Sequence, residues 1–154
     1  MSVEQLVDLW MDVEGRFKLL QYLSNVEIYS RVVDAARPVY AHFEESQLMP
    51  MYQRVANHIR KVDQNHILFL EASMGSNTGV YSAIYPLQNA EGSRDEKQAY
   101  APHGYDLVTD MPQVDQANEE RIAFIFGRHA EKRDELNMPM FVGEWGAYGH
   151  SKSL

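Results

Sequence analysis

The pattern of apolar and polar positions divides the chain into a helical first third and a remainder in which strands and helices alternate. Apolar residues recur every three or four positions in VEIYSRVVDAARPVYAHFEE and QLMPMYQRVANHIRKV, which is the spacing of amphipathic helices. Asn25 is expected to cap the first of these helices. Pro38 is expected to kink or split it, because proline lacks the N–H and clashes with the preceding turn. Two shorter helices are predicted before them, over residues 2–10 and 16–23.

After residue 65 the helical spacing of apolar residues gives way to short apolar runs. HILFL, residues 66–70, is a short continuous apolar run, typical of a strand that is buried on both faces of a parallel sheet. AYAPHGYD (99–106) and MPMFVGE (138–144) predict two further strands, with a helix between them over QANEERIAFIFGRHAEKRDEL. Residues 72–98 form a polar connection, and one of this length is usually functional or mobile. The order of elements predicts an α/β fold with parallel strands.

Chemically versatile side chains fall at the carboxyl ends of all three predicted strands. Glu71 follows the first strand, His103 and Tyr105 end the second, and Glu144 and Trp145 end the third. In parallel sheets and barrels this edge is where ligands bind. The coincidence therefore predicts a functional site at this edge.

Each of these residues also has other interpretations. Glu144 lies between Gly143 and Gly146, which allow the backbone to bend and a ligand to approach closely. From the residues alone it could be a nucleophile, a general base, a metal ligand or a solvated charge. Trp145 could stack on a sugar ring or simply pack in the core. His103 alternates with a tyrosine on one face, where it could contact a ligand or be satisfied by backbone groups.

The remaining candidates for ligand contact are Asn77, Glu71 and Asp106, and the two acids could equally be structural hydrogen-bond acceptors. We expect Glu71 to lie too far from Glu144 for the two carboxyl groups to act as a catalytic pair, because the first and third strands separate them unless the sheet curves strongly. No pair of histidines has the spacing of a zinc site such as H-E-x-x-H, and there is no G-x-G-x-x-G or phosphate loop. We therefore expect neither a metal nor a cofactor.

Composition narrows the possible partners. The 154 residues suit one domain with a sizeable core. A formal charge of −8, from 22 acidic and 14 basic residues, argues against nucleic acid as a partner. There is no cysteine, and no apolar run approaches the length of a membrane span. Since no secretory signal is present, the chain as it stands is expected in the cytoplasm, although a longer parent protein could be secreted.

Taken together, three segments resemble glycoside hydrolase family 5, closest to its endoglycoceramidase-like branch. They are LMPMYQRVANHIRKVDQNHILFLEASMGSNTGVYSAI, AYAPHGYD and MPMFVGEWG. The resemblance implies a (β/α)8 barrel that hydrolyses β-glycosidic bonds of a carbohydrate or glycolipid with retention of configuration. It implies that Glu144, in the pattern G-E-W-G, is the nucleophile. It also implies that His103 and Tyr105, in the pattern H-x-Y, lie beside that nucleophile.

The chain departs from the family at the proton donor. The family's acid/base glutamate lies in an N-E-P motif at the end of the fourth strand, and that motif is absent. We therefore expect a single partial barrel domain over residues 1–154, comprising about strands five to seven. Residues 1–46 are expected to form a helical insertion and residues 47–154 the βα units. Exposed strand edges would then favour a homo-oligomer or a complementary barrel half as partner.

Three functions remain open from the sequence. The first is a retaining glycosidase that lacks its acid/base half, with Trp145, Asn77, Glu71 and Asp106 contacting the substrate. The second is a catalytically inactive protein that binds carbohydrate. The third is a purely structural barrel fragment that oligomerises.

Overall fold

The computed structural model describes residues 23–109 and 117–146. The predicted helix over residues 2–10 lies outside these ranges, as does the helix over residues 16–23 except for its last residue. The described residues form three helices and a small parallel sheet, joined by a long connection that carries one turn of 3-10 helix.

About the first third of the described residues is a nearly continuous helical segment. It comprises α1 (Val26–Phe43), a π-helical turn (Glu44–Leu48) and α2 (Met49–Ile59). The predicted cap is confirmed, because the Asn25 side chain accepts hydrogen bonds from the backbone N–H groups of Glu27 and Ile28.

Of the two effects expected of Pro38, a kink or a split, the split is wrong. Helix α1 continues through the proline, and the irregularity lies at the π-helical turn that follows the helix. Proline removes one backbone hydrogen bond, whereas the same helix buries Tyr29 and Val33 in the core. The packing of the apolar face therefore outweighs the local penalty.

The strands are short and parallel, as predicted. They are β1 (Leu68–Leu70), β2 (Gln98–Tyr100), β3 (His103–Gly104) and β4 (Glu144–Trp145). β1 pairs with β2 and β3 pairs with β4, while an isolated parallel bridge joins Tyr100 to Met140. β2 and β3 are thus two halves of one central strand, interrupted at residues 101–102, and the sheet has three strands in chain order.

Helix α3 (Glu119–Leu136) crosses from the central strand to the last one. Its N-terminus is capped by Asn118, whose side chain accepts hydrogen bonds from two backbone N–H groups of the first turn. The long connection before β2 contains a 3-10 helix (Met74–Thr78) and an antiparallel bridge between Gln88 and Arg94. Many of its residues are buried, so it is a packed part of the fold.

The core lies on one face of the sheet. There Leu70, Tyr100 and Met138 pack with side chains of α2 and the end of α3. On the opposite side, Ile67, Phe69 and Phe141 are 53%, 56% and 59% exposed, and we call these three residues the exposed sheet face. The prediction that HILFL is buried on both faces is therefore wrong, because Ile67 and Phe69 are each more than half exposed.

The described residues form no closed barrel. Over the same part of the chain, none of the helices combines the length and hydrophobicity that crossing a membrane requires.

Candidate active site

The carboxyl edge of the sheet brings together side chains from all three strand positions. Glu71 follows β1 directly, and His103 stands opposite Glu144 in the parallel register of β3 and β4. Tyr105 follows β3. We call Glu71, His103, Tyr105 and Glu144 the carboxylate–histidine cluster.

Within this cluster two polar groups approach the same oxygen of Glu144. The Tyr105 hydroxyl donates a hydrogen bond to Glu144 Oε2 at 2.6 Å. Nδ1 of His103 lies 3.6 Å from that oxygen and 3.1 Å from Oε1 of Glu71. The side chains of Glu71 and Glu144 are 44% and 60% exposed, so a ligand could reach both carboxylates.

The sheet brings the Glu71 and Glu144 carboxylates to a common neighbour. Both carboxylates are within ion-pair distance of a single nitrogen on the strand between them. The imidazole of His103, on the central strand, therefore lies between the carboxylates that follow or end the two outer strands.

Two glycines make the close packing around His103 possible. A Cβ atom at Gly143 would lie 2.9 Å from Nε2 of His103, and one at Gly104 would lie 2.6 Å from Cζ of Phe126. Any larger residue at either position would displace a ring. Gly143 therefore leaves the space that the His103 imidazole occupies, a role that the sequence alone did not indicate.

Glu71 is fixed through its backbone. The Tyr52 hydroxyl of α2 donates a hydrogen bond to the carbonyl oxygen of Glu71 at 3.1 Å. Burial raises the pKa of Tyr52, and the negative charges of Glu71 and Glu44 raise it further. The hydroxyl thus remains a donor at neutral pH.

A second histidine lies buried next to the cluster. Nδ1 of His129, on α3, is 2.9 Å from the hydroxyl oxygen of Tyr100 in the central strand. Burial lowers the pKa of His129 to about 4, with the neighbouring His103 as a smaller influence. The two residues are 29 positions apart, so no local sequence pattern indicated this contact.

The other predicted site residues lie at different distances from the cluster. Trp145 adjoins Glu144 and is 68% exposed, as a stacking surface for a ligand would need to be. The backbone carbonyl of Asn77 accepts a hydrogen bond from the N–H of Tyr105 at 3.0 Å, which attaches the 3-10 helix to the cluster.

Asp106 is not available to a ligand, contrary to the prediction. Its side chain is buried and accepts hydrogen bonds from the guanidinium group of Arg121 at 2.9 and 3.0 Å. It also accepts hydrogen bonds from the backbone N–H groups of Val108 and Asn118. These four bonds show that Asp106 organises the chain between the central strand and α3.

Glu44 is an important acidic residue that the sequence analysis did not single out. It is completely buried in the π-helical turn. Its carboxylate accepts hydrogen bonds from the backbone and side chain of Ser73, the side chain of Ser82 and the backbone of Ala83. These contacts span 29 to 39 positions of sequence, so no local pattern could have predicted them.

Among residues 23–109 and 117–146, no group of three or more histidine, aspartate or glutamate side chains is arranged to hold a metal ion. What the cluster offers is two exposed carboxylates, one imidazole and one phenol at the carboxyl edge of a parallel sheet. Carboxylates placed in this way suit nucleophilic or acid–base chemistry.

Comparison with known protein families gives one match. The family described as Cellulase (glycosyl hydrolase family 5) matches residues 27–153, which include the whole carboxylate–histidine cluster. Comparisons with curated proteins and with solved structures gave no match. The family match covers most of the chain, and the chain belongs to glycosyl hydrolase family 5, a family of TIM-barrel glycoside hydrolases.

Proposed function

We propose that this glycoside hydrolase uses the retaining mechanism, with Glu144 as the nucleophile. The observation that supports this best is the short hydrogen bond of 2.6 Å from the Tyr105 hydroxyl to Oε2 of Glu144. It fixes an exposed carboxylate at the carboxyl edge of the sheet, where a sugar can reach it. In the retaining mechanism such a carboxylate attacks the anomeric carbon, and water then hydrolyses the glycosyl ester.

The neighbouring residues have distinct roles in this proposal. Tyr105 orients the carboxylate of Glu144, and His103 lies beside it at 3.6 Å. Trp145 stacks on the sugar ring with its exposed indole. Asn77 and Glu71 border the space in which the substrate is bound.

The substrate is proposed to be a β-glycoside. Membership of the family suggests a carbohydrate substrate. The segments quoted above resemble the endoglycoceramidase-related branch, and on that basis glycolipids, steryl glucosides and oligosaccharides are all candidates.

We propose that the general acid comes from βα units other than those described. A retaining enzyme holds two carboxyl groups about 5–5.5 Å apart, and the sequence has no N-E-P motif to supply the usual proton donor. The described sheet would then correspond to strands five to seven of a barrel. Residues 1–46 would be the helical insertion and residues 47–154 the βα units.

The exposed sheet face supports this part of the proposal. Ile67, Phe69 and Phe141 are each more than half exposed, and Phe69 and Phe141 contact each other edge to face with ring centroids 5.7 Å apart. Inward-pointing side chains of this kind form the packed interior of a closed barrel. A second copy of the chain or a complementary barrel half would cover them.

A glucoside with a very good leaving group tests the nucleophile without the general acid. 2,4-Dinitrophenyl β-glucoside needs little protonation of its leaving group, whereas loss of a general acid typically costs about 10²–10⁴-fold with poorer ones. We expect the chain to release dinitrophenol and Glu144→Gln to reduce release to the rate in buffer. Glu91→Gln, at an exposed position, is the matched control and should keep the wild-type rate.

Equal rates for wild type and Glu144→Gln would contradict the proposed nucleophile.

A second function, binding of carbohydrate without hydrolysis, is favoured by one observation, the 68% exposure of Trp145. It predicts that calorimetry detects binding of a β-linked glucose oligosaccharide, that Trp145→Ala abolishes binding, and that no glucoside is hydrolysed.

A further inference from the structure

His103 has one ring nitrogen between two carboxylates. Nδ1 lies 3.1 Å from Oε1 of Glu71 on one side and 3.6 Å from Oε2 of Glu144 on the other. Both separations are within ion-pair distance, and Glu71 is the nearer of the two carboxylates.

The position of the imidazole is restricted by its surroundings. The side chain is only 18% exposed. Its Nε2 edge lies against Gly143, where a Cβ atom would come within 2.9 Å. Nδ1 is consequently the nitrogen that faces the carboxylates, and ionised carboxylates can only accept hydrogen bonds.

Glu71 is held in place by the fold and not only by its contact with His103. The Tyr52 hydroxyl donates to its backbone carbonyl at 3.1 Å. Two residues further on, Ser73 donates twice to the buried carboxylate of Glu44. The end of β1 is thus attached to the helical segment on both sides of residue 72.

We propose that Glu71 is a positioning residue that holds His103 in the tautomer with the proton on Nδ1. Glu144 already accepts a hydrogen bond from Tyr105 at 2.6 Å. With the proton on Nδ1, His103 presents an N–H group to the Glu144 carboxylate at 3.6 Å, where a lone pair would repel it. Glu71 acts through the imidazole, without itself reacting with the sugar.

The catalytic consequence rests on the proposed function, whereas the tautomer can be measured without any substrate. Nitrogen NMR of the histidine rings distinguishes a protonated Nδ1 from a protonated Nε2. The full chain would be measured at about pH 8, where ordinary imidazoles are neutral. The compared proteins are wild type and a matched pair of variants, Glu71→Met and Glu144→Met, each of which removes one carboxylate while keeping an unbranched side chain.

We expect His103 to carry its proton on Nδ1 in the wild type and in Glu144→Met. In Glu71→Met the proton should move to Nε2, giving at least an even mixture of tautomers. Glu71→Gln keeps an acceptor oxygen and should restore the Nδ1 tautomer. A cooperative urea unfolding transition for each variant would show that it is folded.

The opposite pattern would overturn the proposal: a tautomer change in Glu144→Met and none in Glu71→Met. A wild-type His103 protonated on Nε2 would overturn it as well. The outcome is independent of glycosidase activity. If the glucoside assay fails while the tautomers behave as expected, only the role of Glu144 as nucleophile is lost.

Discussion

His103 is at the centre of the candidate site because it belongs to the central strand of the sheet. Its neighbours in space, Glu71 and Glu144, come from the strands on either side. The sequence could predict that all three residues end strands, because each follows an apolar run. It could not predict that they meet at one nitrogen, because this depends on register and on the space left by Gly143.

His129 makes the stability of the fold depend on pH. Burial lowers its pKa to about 4, from an ordinary value of 6.5. The unfolded chain therefore binds a proton more readily between these values, and stability that is present above pH 6.5 is lost as the pH falls toward 4. The full effect is on the order of 3 kcal/mol.

Urea unfolding at several pH values between neutral and acidic conditions measures this effect. His129→Gln should flatten the fall in the free energy of unfolding over this range. His58→Gln, on the exposed surface of α2, should leave the fall unchanged. An identical pH dependence in wild type and His129→Gln would contradict the assignment.

The structural elements could be predicted better than the contacts between them. Asn25 caps its helix because its side chain follows a local rule that the sequence displays. Pro38 breaks a local rule, and burial of Tyr29 and Val33 outweighs it. The exposure of Phe69 depends on which elements cover its face of the sheet, and the apolar pattern of its own strand does not indicate this.

The π-helical turn is the element that connects the helical segment to the long connection. A π-helical turn frequently marks a functional position. Here it carries Glu44, which is fully buried and satisfied by hydrogen bonds from Ser73, Ser82 and Ala83. The long connection is therefore hydrogen-bonded to the helical segment on both sides of the 3-10 helix, and one of these contacts lies close to Glu71.

Glu44→Gln should destabilise the protein by about 3 kcal/mol, because the amide nitrogen cannot accept the hydrogen bonds that a carboxylate oxygen accepts. Glu45→Gln is the matched control, since Glu45 is the next residue and is exposed. Urea unfolding at neutral pH measures both. Equal stabilities for the two variants would show that the buried carboxylate does not hold the connection.

At the scale of the whole molecule, the described sheet has one covered face and one open face. The open face is apolar, and within the described residues no strand pairs with the outer edge of β1. Exposed edges and apolar patches promote association. We propose that the open face is the side that a barrel of this family encloses.

The purified chain should therefore self-associate. Size-exclusion chromatography with light scattering should give a multiple of the chain mass at micromolar concentration. Replacing Phe69 and Phe141 together by serine should shift the protein toward monomer, because both belong to the exposed sheet face. Met74→Ser changes a still more exposed residue outside that face and should not shift the protein toward monomer. A wild-type chain that is monomeric and stable would contradict this expectation.

The proposed nucleophile, Glu144, would form a covalent bond to the sugar. Incubation with 2,4-dinitrophenyl 2-deoxy-2-fluoro-β-glucoside, followed by mass spectrometry of peptides, detects this bond, because fluorine slows hydrolysis of the glycosyl ester. We expect one fluoroglucosyl adduct, on Glu144, and none in Glu144→Gln. An adduct on Glu71, or an equally labelled Glu144→Gln variant, would rule out Glu144 as the nucleophile.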